Sequence, residues 1–179
     1  MTHSGISHQS GRWFKLSDEI AKIILEAKQI VDIIFCKGNL RFKCKRCAVF
    51  CCKLGGPTLV ENDIQRIKEA GYVIDDVLEY HARNVSRHAS MAQSRLRKRE
   101  DGSCIFLKFN ERPKAYECSI YDIRPALCRT FPFDFERINS NSLMLRFIPC
   151  CSGLNDPDGE IIDRKFIAKY LLDAIFEIL

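Results

Sequence analysis

The chain has 179 residues, a formal net charge of +5, 46% hydrophobic and 28% charged residues, and ten cysteines. That length and balance fit a single domain spanning residues 1–179 with its own core. They argue against a membrane protein, because no apolar run of about 18 residues is free of charge. The opening MTHSGISHQSGRWFK has no apolar h-region, so no secretory signal is read there and the expected compartment is the cytoplasm. In a reducing cytosol, clustered cysteines bind metal or carry redox chemistry rather than form disulfides. Intracellular proteins of hyperthermophiles are the exception, and there the same thiols would pair.

In chain order, residues 1–11 are small and polar and are expected to be disordered. An amphipathic helix is expected over residues 17–35. Ser17 would cap it, Asp18 and Glu19 fill its first turn, and Ile20, Ile23, Ile24, Ala27, Ile30, Val31 and Ile34 recur at helical spacing. Cys36 at its end reads as a small buried hydrophobe. Next comes FKCKRCAVFCCKLGG, with Cys44, Cys47, Cys51 and Cys52 spaced C-x2-C-x3-C-C. Thr58 and Glu61 have the spacing of a capping box for a helix that Gly71 stops. A short helix is expected over 74–84, then helix end and loop through the basic run RLRKR, Arg95–Arg99, with Arg83 and Arg87 upstream. Ile105–Phe109 and Ala115–Tyr121 suggest a hairpin. YDIRPALCRTFPF suggests a short helix with Pro125 in its first turn and Pro132 at its end. Leu143–Cys151 reads as a strand, and residues 158–179 as a second amphipathic helix. The expected fold is α+β: helices around a short hairpin region and a cysteine-lined metal centre, with residues 42–153 as the cysteine-cluster core.

Apart from Cys36, the thiols are Cys44, Cys47, Cys51, Cys52, Cys104, Cys118, Cys128, Cys150 and Cys151, each at a turn or an element end. C-x2-C lets two sulfurs within one turn reach one ion, and single cysteines further along can complete four-sulfur coordination. Zinc and iron both accept thiolate, and an iron–sulfur cluster could also be held by a short run plus a remote cysteine. Four thiolates on a divalent ion leave a negative charge that Arg124 or Arg129 could offset. The doublet Cys51-Cys52 is awkward for one tetrahedral ion if the chain is extended there, because neighbouring side chains diverge. Either one of the pair packs, or the pair serves two metals. His81 and His88 would share a helix face if that helix continued; they and His3 and His8 are expected to be exposed or satisfied rather than ligands.

The motifs FKCKRCAVFCC, TLVENDIQRIKEAGY, DGSCIFL, CSIYDIRPALCRTFPF and PCCSG resemble the YkgJ-type cysteine-cluster family, whose members are described as zinc- or iron-chelating domains. The resemblance spans about Phe42 to Gly153. Three residues separate Cys47 from Cys51, one more than is common in the family. The resemblance implies ligand roles for Cys44, Cys47, Cys51, Cys52, Cys104, Cys118 and Cys128, and for Cys150 or Cys151. It implies a metal ion as partner and supplies no reaction. A similar cysteine pattern in flagellin lysine methylases keeps a redox or protein-modifying enzyme as the alternative, although no phosphate loop or H-E-x-x-H motif occurs. A nucleic-acid partner for Arg95–Arg99 is the third reading, without the interleaved aromatics of a single-strand binder.

Overall fold

The isoleucine-rich stretch expected as one helix over 17–35 is a β-hairpin. The computed structural model describes residues 18–53, 55–81 and 93–179. In it β1 (Glu19–Glu26) and β2 (Gln29–Phe35) pair antiparallel. Ala27 and Lys28 close the turn with φ of 46° and 62°, the left-handed geometry of a two-residue hairpin. β-branched residues suit a pleated surface, and Ala21, Ile23 and Leu25 alternate into the core. A bulge between Glu19 and Ala21 turns Ile20 inward as well. Val31 and Ile34, core positions of the expected helix, are 48% and 53% exposed on the edge strand.

β1 also pairs with β9 (Ser142–Phe147), and β9 with β8 (Phe133–Asn139), giving the antiparallel order β2-β1-β9-β8. The C-terminal helix covers this sheet. It begins at α4 (Arg164–Phe166), passes through a π-helical stretch (Ile167–Leu171) and ends as α5 (Leu172–Ile178). The helix expected from residue 158 therefore starts later. Asp163 caps it by accepting the Phe166 amide at 2.8 Å, and the residues before it form β10 (Glu160–Ile161) against β3 (Arg41–Phe42). Phe166, Ile167, Leu171 and Ile175 pack on Ile20, Ile23, Leu143 and Leu145.

A second hydrophobic cluster holds Leu59, Ile67, Leu78, Leu96, Phe106 and Ile120. Helix α1 (Glu61–Glu69) starts without the expected Thr58–Glu61 box. The Leu59 amide donates to the Ser94 carbonyl at 2.9 Å and keeps residues 58–59 extended, so Asp63 takes the capping role by accepting the Val60 amide at 3.0 Å. The helix expected over 74–84 is only α2 (Ile74–Val77); β4 (Leu78–His81) follows and pairs with β5 (Gln93–Leu96). Leu78 and Leu96 face each other in that register, 2% and 1% exposed, and their burial draws the start of the basic run, Arg95 and Leu96, into a strand. The expected hairpin is present as β6 (Leu107–Asn110) and β7 (Ala115–Cys118). The expected helix after Pro125 is α3 (Ala126–Thr130).

Asp63 joins the two clusters. It is 1% exposed; it accepts the Val60 amide and, at 2.9 Å, the Ala126 amide of α3, and it pairs with Arg66. Burial pushes its carboxyl up, while the two amides and Arg66 pull it down. Arg66 continues to Glu177 of α5 at 2.9 Å, and Arg129 meets the same carboxylate at 2.5 Å. One chain of charges thus ties α1, α3 and the C-terminal helix. Removing one partner of a buried pair strands the others, so Asp63→Ala should cost about 3 kcal/mol or more. Urea unfolding of Asp63→Ala against Arg66→Ala measures this; a loss no larger than that of a surface substitution would contradict it.

Candidate metal centre

Backbone contacts bring the thiol-bearing segments together. The Lys43 amide donates to the Gly153 carbonyl at 3.0 Å, and Phe42 bridges Leu154. A Cβ on Gly153 would run into the Lys43 carbonyl, so glycine lets the two chains touch. Lys45 pairs with Asp156, whose side chain is 3% exposed. The loop carrying Cys44 and Cys47 is thereby held beside the turn carrying Cys150 and Cys151. Arg46 and Ala48 take left-handed φ of 50° and 57° and curl that loop. The Lys53 amide returns to the Ala48 carbonyl at 2.9 Å, so Cys51 and Cys52 sit within a turn.

The Cys52 carbonyl accepts the Cys104 amide at 2.8 Å. Gly55 packs so closely on the Cys104 main chain that a Cβ there would collide with it. Cys118 ends β7 and Cys128 lies on α3. A cavity of about 170 Å³ results, lined by Cys44, Cys51, Cys52, Cys104, Cys118 and Cys128, with Arg46, Tyr121 and Arg124 in its wall. Cys47 and Cys150 are exposed and do not line it. Cys151 is half-buried and close enough to Cys47, Cys44 and Cys51 to feel their charge. Cys36 is exposed beyond β2, apart from the cavity and not buried as expected. All ten cysteines are free thiols.

The Cys51 and Cys52 sulfurs stand 3.7 Å apart. The expected divergence of this doublet does not occur, because it applies to extended chain and these residues are in a turn. The Cys52 thiol, hydrogen-bonded to Cys118 and Cys51, lowers both of them to about 7 as thiolates, with the Arg124 charge adding to the effect. The same hydrogen bonds push Cys52 itself up. Burial pushes Cys104, Cys128 and Cys151 up. Among the described residues, no group of three or more His, Cys, Asp or Glu side chains already stands in an arrangement that would hold a metal ion. The thiols are gathered around a cavity and are not closed on a point.

The two arginines named from the sequence part company. Arg124 stays at the cavity, its Nε donating to the Tyr121 carbonyl at 2.9 Å and its guanidinium 3.8 Å from the Tyr121 ring centroid. Arg129 turns away to Glu177. Arg46, with its guanidinium 4.3 Å from the same ring, and Tyr121 itself were not singled out from the sequence. Their only signal was adjacency, Arg46 inside the C-x2-C step and Tyr121 three residues after Cys118. In the basic run, Arg95 donates to the Gly56 carbonyl, Arg97 to those of Asp75 and Leu78, and Arg99 to that of Ile105, so these side chains brace the fold. His81 ends β4, whereas His3, His8, His88, Arg83, Arg87 and the segment 1–11 lie outside the described residues. No described helix is long and apolar enough to cross a membrane.

A family model described as "CxxCxxCC: Putative zinc- or iron-chelating domain" matches residues 43–162. The chain is also similar to the uncharacterized protein MJ0661 of Methanocaldococcus jannaschii, 29% identical over 159 residues that cover 83% of this chain and 79% of the relative. No solved structure matches.

The lowered thiols fix a pH dependence. A folded pKa of about 7, below the ordinary 9.0, adds stability that is complete above 9.0 and is lost as pH falls through 7. Cys104 and Cys128, pushed up by burial, act only above 9.0 and with the opposite sign. In reduced, metal-free protein the urea midpoint should therefore rise from pH 7 to 9.0. Thiolate absorbance should show a step near 7 that moves up in Arg124→Gln. A midpoint that is flat or falling across this window would refute the assignment.

Proposed function

The chain belongs to the CxxCxxCC family of zinc- or iron-chelating domains, and from that premise we propose that its thiols hold metal in two groups. The observation that carries the metal reading is the cavity onto which six cysteines from four separate chain segments open; the partition follows from Cys47, Cys150 and Cys151 lying off it, with Cys44 and Cys47 close enough to Cys151 to feel its charge. Cys52, Cys104, Cys118 and Cys128 form the inner group. Cys44, Cys47, Cys150 and Cys151 form the outer group, along the contact between Lys43 and Gly153. Cys51 stands at the border, hydrogen-bonded to Cys52 and within the field of Cys151.

The residues fit such a group. Four thiolates around zinc, with Zn–S near 2.3 Å, place neighbouring sulfurs about 3.8 Å apart, and the Cys51–Cys52 separation of 3.7 Å is already of that size. The spacing serves an S–H···S bond in the protonated protein and lets Cys51 stand in for one of the inner four sulfurs in the loaded one. Zinc would supply a closed structural centre; iron with sulfide would supply electron transfer. Arg46 and Arg124 offset the surplus negative charge of the thiolates. No observation favours the nucleic-acid reading, since the arginines of the basic run are engaged with carbonyls.

Anaerobic purification, elemental analysis and a visible spectrum test the proposal. About two equivalents of zinc, or of iron in sulfide-free sites, are expected per chain, four sulfurs to each, and sulfide-bridged clusters would raise the iron count above two. Colourless zinc protein would make the centre structural, and brown protein with sulfide would make it a cluster. Cys47→Ser should lose the outer equivalent alone. Cys104→Ser should lose the inner one and lower the melting temperature, since metal binding of this kind is coupled to folding. Cys36→Ser should keep both. Freshly purified protein without zinc or iron would overturn chelation. Loss of all metal from either single substitution would overturn the two-group partition only.

A further inference from the structure

A larger cavity, about 510 Å³, adjoins the cysteine cavity and has Cys44, Tyr121 and Arg124 in common with it. That volume is in the range of small-molecule sites, roughly 300–1,000 Å³. The apolar wall is a set of mutually packed rings. Phe42 packs edge-on against Phe133 and Phe166, with centroids 5.2 and 6.2 Å apart, and Phe133 meets Phe166 at 5.7 Å. Phe131 extends the same wall.

The charges around this cavity are largely matched. Lys43 lies 3.8 Å from Asp158, and Arg129 is held by Glu177. Lys169 meets the Tyr170 hydroxyl, which donates to Glu160 at 2.6 Å. Arg124 differs. Its Nε is used by the Tyr121 carbonyl, and no carboxylate among the described residues engages its two Nη groups. A half-buried guanidinium stacked on a ring and lacking a carboxylate is pre-organised for a bidentate anion. Arg46 lines only the cysteine cavity, so the thiolates keep a countercharge when Arg124 is engaged elsewhere. Asp173, exposed on α5, is the opposing charge.

We propose that this cavity binds a small carboxylate with an aromatic or apolar body, its carboxylate on the Arg124 fork and its body on the phenylalanine wall. Its position beside a metal centre rests on the chelation reading; the carboxylate site itself does not.

The test titrates purified, metal-retaining protein with 3-phenylpropionate, phenethylamine and inorganic phosphate, by calorimetry and by amide chemical shifts, with metal content measured in every sample. Saturable binding of 3-phenylpropionate is expected in the millimolar range, as for other ligands of about ten heavy atoms. The shifts should centre on Phe42, Lys43, Arg124 and Tyr170 and spare β2. Arg124→Gln should weaken binding about tenfold or more, the loss of charge-assisted bonds, with Lys169→Gln nearly neutral. No saturable carboxylate binding, preference for phenethylamine, equal binding of phosphate, or an undiminished Arg124→Gln would each overturn the proposal. If Arg124→Gln fails to fold or to keep metal, the shift map of the unsubstituted protein decides between support and rejection. Carboxylate binding by protein that never held metal would leave this site standing and remove the chelation reading. Metal without carboxylate binding would do the reverse.

Discussion

Thiols that bind metal repel one another once ionised, so the chain must hold them together by other means. Here backbone contacts do that. The Lys43 amide on the Gly153 carbonyl joins one end of the cysteine-rich region to the other, and the Cys104 amide on the Cys52 carbonyl joins its middle. Neither bond involves a sulfur, so both can stand whether or not the thiols are protonated. Glycine at positions 55 and 153 is what allows each pair of chains to come so close. The left-handed residues Arg46 and Ala48 then bend the intervening loop so that four cysteines within nine residues reach two sides of one site.

The rest of the fold fixes the ends of that framework. β3, which delivers Phe42 and the first cysteine loop, is pinned to β10 just before the C-terminal helix. The helix is held against the sheet by its apolar face and against α1 and α3 by the chain from Asp63 through Arg66 and Glu177 to Arg129. Cys128 precedes Arg129 directly on α3. Cys128 is therefore positioned by a charge network that runs from α1 through the C-terminal helix to α3. Displacing the C-terminal helix would disturb α3, although the helix carries no cysteine.

The sequence made the thiols legible and much of the architecture around them illegible, for physical reasons. C-x2-C spacing, the doublets and the prolines around α3 act locally, and local signals survive without a fold. The hairpin at 19–35 was hidden because its isoleucines satisfy a 3.6 period as well as a period of two, and Ala27-Lys28 gives no glycine or asparagine to mark the turn. Thr58 carried a sound capping spacing that strand pairing with Arg95 overrode. Arg129 looked like a countercharge by adjacency to Cys128. On a helix, though, neighbouring residues point about 100° apart, and Arg129 reaches the C-terminal helix instead. Nothing local distinguishes Arg124, which stays, from Arg129, which leaves.

The doublet Cys51-Cys52 concentrates this difference between pattern and geometry. In extended chain its sulfurs would face opposite sides, and one would be spare. In the turn closed by Lys53 and Ala48 they stand 3.7 Å apart, and Cys52 also reaches Cys118. Cys52 holds its proton while its two neighbours readily lose theirs. Such a trio carries less charge than three thiolates and stays compact without an ion. If this trio takes metal as proposed, entry displaces that last shared proton, which would couple uptake to pH. After the Cys52 hydrogen bond, the Arg124 charge adds to the ease of that step, because it favours the thiolates. It also lines the neighbouring aromatic cavity. An anion bound by Arg124 as proposed would offset one of the two charges that favour the thiolates and leave that of Arg46, which would couple the two cavities in part.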